Sequence, residues 1–161
     1  MGTVKIGDTQ EVKGMEVSAY YMPSVDCVPN GFQLPAHSSD IYLAVDVRAL
    51  KDNPNGFANN VWVPYLDVSF EISKSGQAQT VRGTFLPVFS CDGPAYGDNV
   101  RLFGNGKYNL TLVVSPPSDT HIRPVLRNVD KKTGVPNKGE HWFEPFGVHL
   151  EFVYQGTGKA E

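Results

Sequence analysis

The sequence predicts an all-β domain, because apolar residues alternate with polar ones along most of the chain. Sixteen glycines and twelve prolines supply frequent turn signals, which are typical of many short strands. The sequence shows little of the apolar repeat every three to four residues that would predict helices. With 161 residues the chain is the size of one domain. A single domain is therefore expected over residues 1–161, with its core at about 14–155.

The alternating runs predict about seven to nine strands. They lie at residues 15–21, 41–48, 66–72, 81–85, 99–103, 108–114 and 146–154, and an apolar run follows at 86–89. Turn dipeptides such as Asn30-Gly31, Asn55-Gly56 and Ser75-Gly76 separate them. Short antiparallel strands with this punctuation are typical of an immunoglobulin-like β-sandwich. The polar segment 118–141 is predicted to be a long loop and is the first candidate for a binding surface.

Charge and motifs exclude several classes of function. The net charge is −3 and the basic residues are scattered singly, whereas nucleic-acid binding normally needs a basic stripe. Nucleophile elbows, phosphate-binding glycine loops and His-Glu-x-x-His motifs are missing from the sequence, so a non-enzymatic protein is predicted. The first residues carry no apolar secretion-signal core. We therefore expect either a cytosolic protein or the mature form of an exported one.

Two cysteines, Cys27 and Cys91, leave three interpretations open. In an oxidising compartment such a pair most often forms a disulfide. The alternatives are two separate thiols or a metal site that uses one or both thiolates. His121, in the long polar segment, is a further candidate metal ligand, although a single histidine needs two or three other donors to hold a metal.

The remaining polar residues have simpler interpretations. His37, His141 and His149 show no catalytic spacing, and His149 is expected on the solvent face of the last strand. Asp46 and Arg48 are two residues apart on a predicted strand and therefore lie on the same face. A surface ion pair between them is predicted.

An ordered set of short strings gives the chain a resemblance to a known family. The strings are Gly14-Met15-Glu16-Val17, Asp26-x-x-Pro29-x-Gly31, Asp40-Ile41-x-Leu43-x-x-Asp46, Trp62-Val63-Pro64-Tyr65, Gly83-Thr84-Phe85-x-Pro87, Asp92-Gly93-Pro94-x-Tyr96-Gly97-x-Asn99, Thr133-Gly134-Val135 and Trp142-x-x-Pro145-Phe146. Together they resemble the bacterial periplasmic iron-transport proteins of the nineteen-kilodalton type, which accompany Ftr-type iron permeases.

The resemblance implies a homodimeric sandwich that works in the periplasm, or lipid-anchored at its membrane, with a membrane iron permease as partner. It also implies a copper site that assists iron uptake. The family's ligands are histidines, a glutamate and a methionine, with one histidine lent across the dimer. Imidazole and thioether groups suit copper because they are soft donors.

The ligand positions implied by the resemblance fall on Tyr42, Ala44, Val88, Ala95 and, in the long loop, near Asn128. None of these positions keeps the family's ligand. The sequence therefore predicts a component of iron or metal uptake whose copper or iron site is altered or lost. A metal-free dimeric module that docks a permease or another partner is the alternative, and a sandwich that binds carbohydrate or another ligand is a third interpretation.

Overall fold

The computed structural model describes residues 2–117, 125–135 and 142–156, and it contains nine strands within them. The strands are β1 (Val4–Val12), β2 (Met15–Met22), β3 (Ile41–Ala49), β4 (Asp67–Lys74), β5 (Thr80–Thr84), β6 (Leu86–Ser90), β7 (Gly93–Val100), β8 (Gly106–Ser115) and β9 (Phe146–Tyr154). A three-residue 3-10 helix, Ala36–Ser38, precedes β3. In the described ranges no helix has the length and apolar character needed to cross a membrane.

The strands form two antiparallel sheets. One sheet has five strands in the order β1-β2-β3-β7-β6, and the other has four in the order β5-β4-β8-β9. Their inner faces enclose a core that includes Leu43, Val45, Ile72 and Leu112, none of which exposes more than 1% of its surface. Burying a side chain of this kind contributes about 1.5–3 kcal/mol. The predicted all-β sandwich is confirmed.

Two parts of the five-stranded sheet differ from the prediction. β1 was not predicted, because Ile6 is its only fully buried residue and the pairing register shifts between Ile6 and Gln10. The strand predicted at residues 99–103 instead covers Gly93–Val100. Gly93, Pro94 and Gly97 are residue types typical of turns, yet they pair with β6 or β3.

Tyr96 anchors the last residues of the long crossover before β4 through its buried hydroxyl. That hydroxyl donates a hydrogen bond to the Val63 carbonyl oxygen at 2.6 Å and accepts one from the Leu66 backbone N–H at 3.1 Å. The ring stacks on Trp62 with centroids 5.2 Å apart. The segment that joins β3 to β4 is thereby held against β7.

Removing this hydroxyl should destabilise the fold measurably. We predict that Tyr96→Phe lowers the free energy of unfolding by about 2 kcal/mol, because a buried carbonyl and a buried N–H both lose their partner. Urea unfolding checks the value. Tyr20→Phe is the matched control: Tyr20 is half-buried on the outer face, and the described residues provide no hydrogen bond to its hydroxyl. An equal loss of unfolding free energy in both variants would contradict the stabilising role assigned to the Tyr96 hydroxyl.

Candidate functional site

Four of the residues expected at the family's ligand positions lie together on the outer face of the five-stranded sheet. Val88 on β6 is paired directly with Ala95 on β7. Ala44 on β3 is paired with Gly97, two residues along from Ala95, and Tyr42 is paired with Asn99. Paired residues point to the same face, and the intervening Leu43 and Val45 face the core. We call Tyr42, Ala44, Val88 and Ala95 the strand patch.

Tyr42 fills the space over Gly97. A Cβ atom at Gly97 would overlap the Tyr42 hydroxyl, so only glycine lets the phenol lie flat across β7. Tyr42 is 6% exposed. Burial, with smaller contributions from the neighbouring Cys27 and Asp98, raises the pKa of its phenol to about 12. The hydroxyl therefore stays protonated at neutral pH.

A loop of residues 23–40, here called the covering loop, lies over the Tyr42 end of the strand patch. Asn99 holds it in place. Its side-chain amide donates to the carbonyl oxygens of Val25 at 2.6 Å and Leu34 at 2.7 Å, and its side-chain oxygen accepts the Val25 N–H at 3.2 Å. The sequence interpretation missed this role. The recurring Gly97-x-Asn99 string was the available signal, but it does not reveal partners more than sixty residues away.

The two cysteines are free thiols, so the predicted bridge between Cys27 and Cys91 is not formed in this structure. Cys27 is half-buried in the covering loop, close enough to Tyr42 to influence its pKa. Cys91 is exposed in the turn that joins β6 to β7, beyond the pair Ser90 and Gly93.

Asn128 is not brought to the strand patch by any contact that the structure shows. Its side chain donates to Thr133 Oγ1 at 3.2 Å and accepts the Asp130 N–H at 2.9 Å, so it stabilises its own turn. The neighbouring Arg127 lies over the Trp142 ring at 5.5 Å. His121 and His141 lie outside the described residues.

A relocated metal site is not formed in the part of the chain that the structure describes. There, no three His, Cys, Asp or Glu side chains come together in a way that could hold a metal ion. His37 is exposed on the 3-10 helix and His149 is exposed on β9, where its ring nitrogen Nδ1 lies 3.1 Å from Thr111 Oγ1. The predicted ion pair between Asp46 and Arg48 is confirmed, with 2.8 Å between Arg48 Nε and Asp46 Oδ2.

One carboxylate occupies an unexpected position. Asp98 is paired with the core residue Leu43 and lies between Tyr96 and Val100, each only 1% exposed. It thus points toward the space between the sheets and is half-buried. Burial raises the pKa of its carboxyl from 3.8 to about 6, although the backbone N–H of Asn99 partly opposes the shift.

Comparison with known proteins identifies the class. The profile of a family described as Fe2+ transport protein matches residues 1–156, and the chain belongs to this family of transport proteins. It is 47% identical over 156 residues to a UPF0423 protein of Brucella abortus, a match that covers 97% of this chain and 84% of the relative. It is 30% identical to a 34 kDa membrane antigen of Treponema pallidum, covering 94% and 74% of the two chains.

Two solved structures share the whole fold. The copper-reconstituted P19 protein of Campylobacter jejuni has a TM-score of 0.87 and 40% identity, covering 99% of this chain and all of that one. A copper-bound variant of FetP from uropathogenic Escherichia coli strain F11 has a TM-score of 0.86 and 35% identity, covering 97% and 99%. The resemblance inferred from the short strings is thereby confirmed at the level of the family.

The position of Asp98 predicts how stability depends on pH. Its carboxyl has a higher pKa when folded than the ordinary 3.8, so the folded state retains a proton that the unfolded state releases. Stability therefore falls as the pH rises from about 4 to about 6. Asp98→Asn should remove this loss and stabilise the protein at pH 7.5 by about 1 kcal/mol, since solvent screens a half-buried charge.

Urea unfolding at pH 4.5 and pH 7.5 measures this difference. The exposed Asp8 on β1 provides the control, and Asp8→Asn should have nearly the same effect on unfolding at both pH values. A stability gap between Asp98→Asn and the parent protein that stays constant with pH would contradict the prediction.

Proposed function

We propose that this protein is an extracytoplasmic, non-enzymatic component of bacterial iron uptake that works without copper at the strand patch. The observation that carries the proposal is the composition of the patch. The four positions converge as the family resemblance requires, but two alanines, a valine and a protonated phenol occupy them. Export is supported by a relative, the FetP of Escherichia coli strain F11, that was expressed in the periplasm.

The patch does not fit a copper ion. Copper binds imidazole, thioether and thiolate donors, whereas the methyl groups of Ala44, Val88 and Ala95 carry no lone pair. Tyr42 could coordinate only after losing a proton, and its burial opposes that loss. An apolar surface of this kind is better suited to packing against another apolar surface.

Restoring donors tests whether the framework still has the geometry for a metal. We predict that Ala44→Glu combined with Ala95→His strengthens copper binding by at least about tenfold over the parent protein, because both side chains would project from the same face of adjacent strands. Isothermal titration calorimetry with copper measures the change.

The control places a similar pair on the other sheet. Thr111 is paired with His149 on the outer face of β8 and β9, so Thr111→Glu creates a glutamate beside a histidine with no family framework around it. Equal gains at both places, or no gain at the patch, would contradict the proposed correspondence of positions. Tight copper binding by the parent protein that is abolished by Tyr42→Phe would contradict the loss of the site.

Exposed apolar residues support a second candidate function, a metal-free dimeric module that docks a partner. Phe89 on β6 is 87% exposed beside the strand patch, and Leu126 and Val129 in the loop 125–135 are 87% and 71% exposed. We propose that the loop of a second copy packs along the edge strand β6, where it covers Phe89 and the margin of the strand patch. A membrane iron permease is the proposed partner of the resulting dimer through its edge and its long loop.

The dimer is tested by breaking either side of the proposed contact. We expect Leu126→Ser and Phe89→Ser each to shift the protein from dimer to monomer, because each removes a large apolar side chain from the interface. Analytical ultracentrifugation measures the mass. Val153→Ser, a 53% exposed valine on β9 of the opposite sheet, should leave the dimer intact. A parent protein that is monomeric at high concentration would contradict the proposal.

A further inference from the structure

A cavity of about 680 Å³ opens beside Asp98, away from the strand patch. The covering loop forms one wall, through Phe32 and Gln33, and β5 forms another, through Thr80. Phe70 and Phe103 add aromatic surface. This volume falls within the range of small-molecule sites, which typically combine apolar walls with a few polar groups.

Among the described residues that line this cavity, Asp98 is the only acidic one. Its place in β7 alternates with core residues, and no salt bridge reaches it from any residue that the structure describes. Gly83 lies opposite Asp98, and its lack of a side chain leaves room for the carboxylate and the Phe70 ring. A Cβ atom at Gly83 would be 3.5 Å from Asp98 Oδ2 and 2.7 Å from the Phe70 ring. The Asp98 carboxylate and the Phe70 ring therefore lie next to each other at the cavity wall.

The nearby positive charges do not neutralise this carboxylate. Arg82 also lines the cavity, but its Nε donates to Glu71 Oε2 at 2.8 Å, so its charge is paired with that carboxylate. Arg101 is exposed at the cavity's margin. Gln33 adds a second unsatisfied group, since its buried side-chain nitrogen has no hydrogen-bond partner.

We propose that the cavity binds a small primary amine with an aromatic or branched apolar body. The ammonium group pairs with the Asp98 carboxylate and the apolar body packs on Phe70 and Phe32, whose ring faces also attract a cation. Gln33 can donate to an oxygen of the ligand. A divalent metal ion suits the cavity poorly, because such ions take several oxygen ligands and the described part of the lining offers one carboxylate and no histidine or cysteine. This inference is independent of the proposed role in iron uptake.

The test uses benzylammonium chloride as the probe, titrated into isotope-labelled full-length protein at pH 7.5 and followed by amide NMR shifts. We expect saturable shifts at β5, β7 and the covering loop. Benzyl alcohol, which has the same shape without the charge, should bind at least about tenfold more weakly. Asp98→Asn should weaken the amine to the same extent, while Asp8→Asn should bind it like the parent protein.

Phe32→Ala provides a second variant that does not depend on Asp98. Phe32 is 69% exposed, so its truncation should leave the fold intact while weakening the amine several-fold. The proposal is overturned if the amine gives no saturable shifts, if the shifts lie outside the cavity, if the alcohol binds equally well, or if Asp98→Asn binds like the parent protein.

Discussion

The pairing of β3 with β7 at the centre of the five-stranded sheet is the constraint on which the rest of the structure depends. It places Ala44 opposite Gly97 and Tyr42 opposite Asn99. A slip of one residue would turn the core residues Leu43 and Val45 outward and the patch residues inward. The core and the strand patch are thus determined by the same register, although they use alternate side chains of the same strands.

This separation would allow the family fold to persist under the proposed change in site chemistry. The inner residues of β3 and β7 stabilise the sandwich by burial, whereas Val88 and Ala95 on the outer face are only half-buried and contribute less. Replacing a donor by alanine at the outer face therefore costs the fold little. Gly97 shows the limit of this freedom, since the close approach of Tyr42 excludes a larger residue there. In the proposed function, the outer face of this sheet carries the site and the inner face carries the fold.

Sequence reasoning was accurate where strands alternate cleanly, as in β4, β8 and β9, because half-buried strands repeat every two residues. It was inaccurate for β1, which buries a single residue fully, and for β7, where Gly97 serves close packing against Tyr42 within the strand. The resemblance located four positions that the structure brings together. The Asn99 contacts and the Asp98 cavity depend on partners distant along the chain, so local patterns could not predict them.

The most direct test of the altered metal site is anomalous diffraction from crystals of the unaltered protein soaked with copper, recorded on both sides of the copper absorption edge. Our account predicts no anomalous peak between Tyr42, Ala44, Val88 and Ala95. A well-occupied copper ion at that place, with those four residues around it, would contradict the central claim.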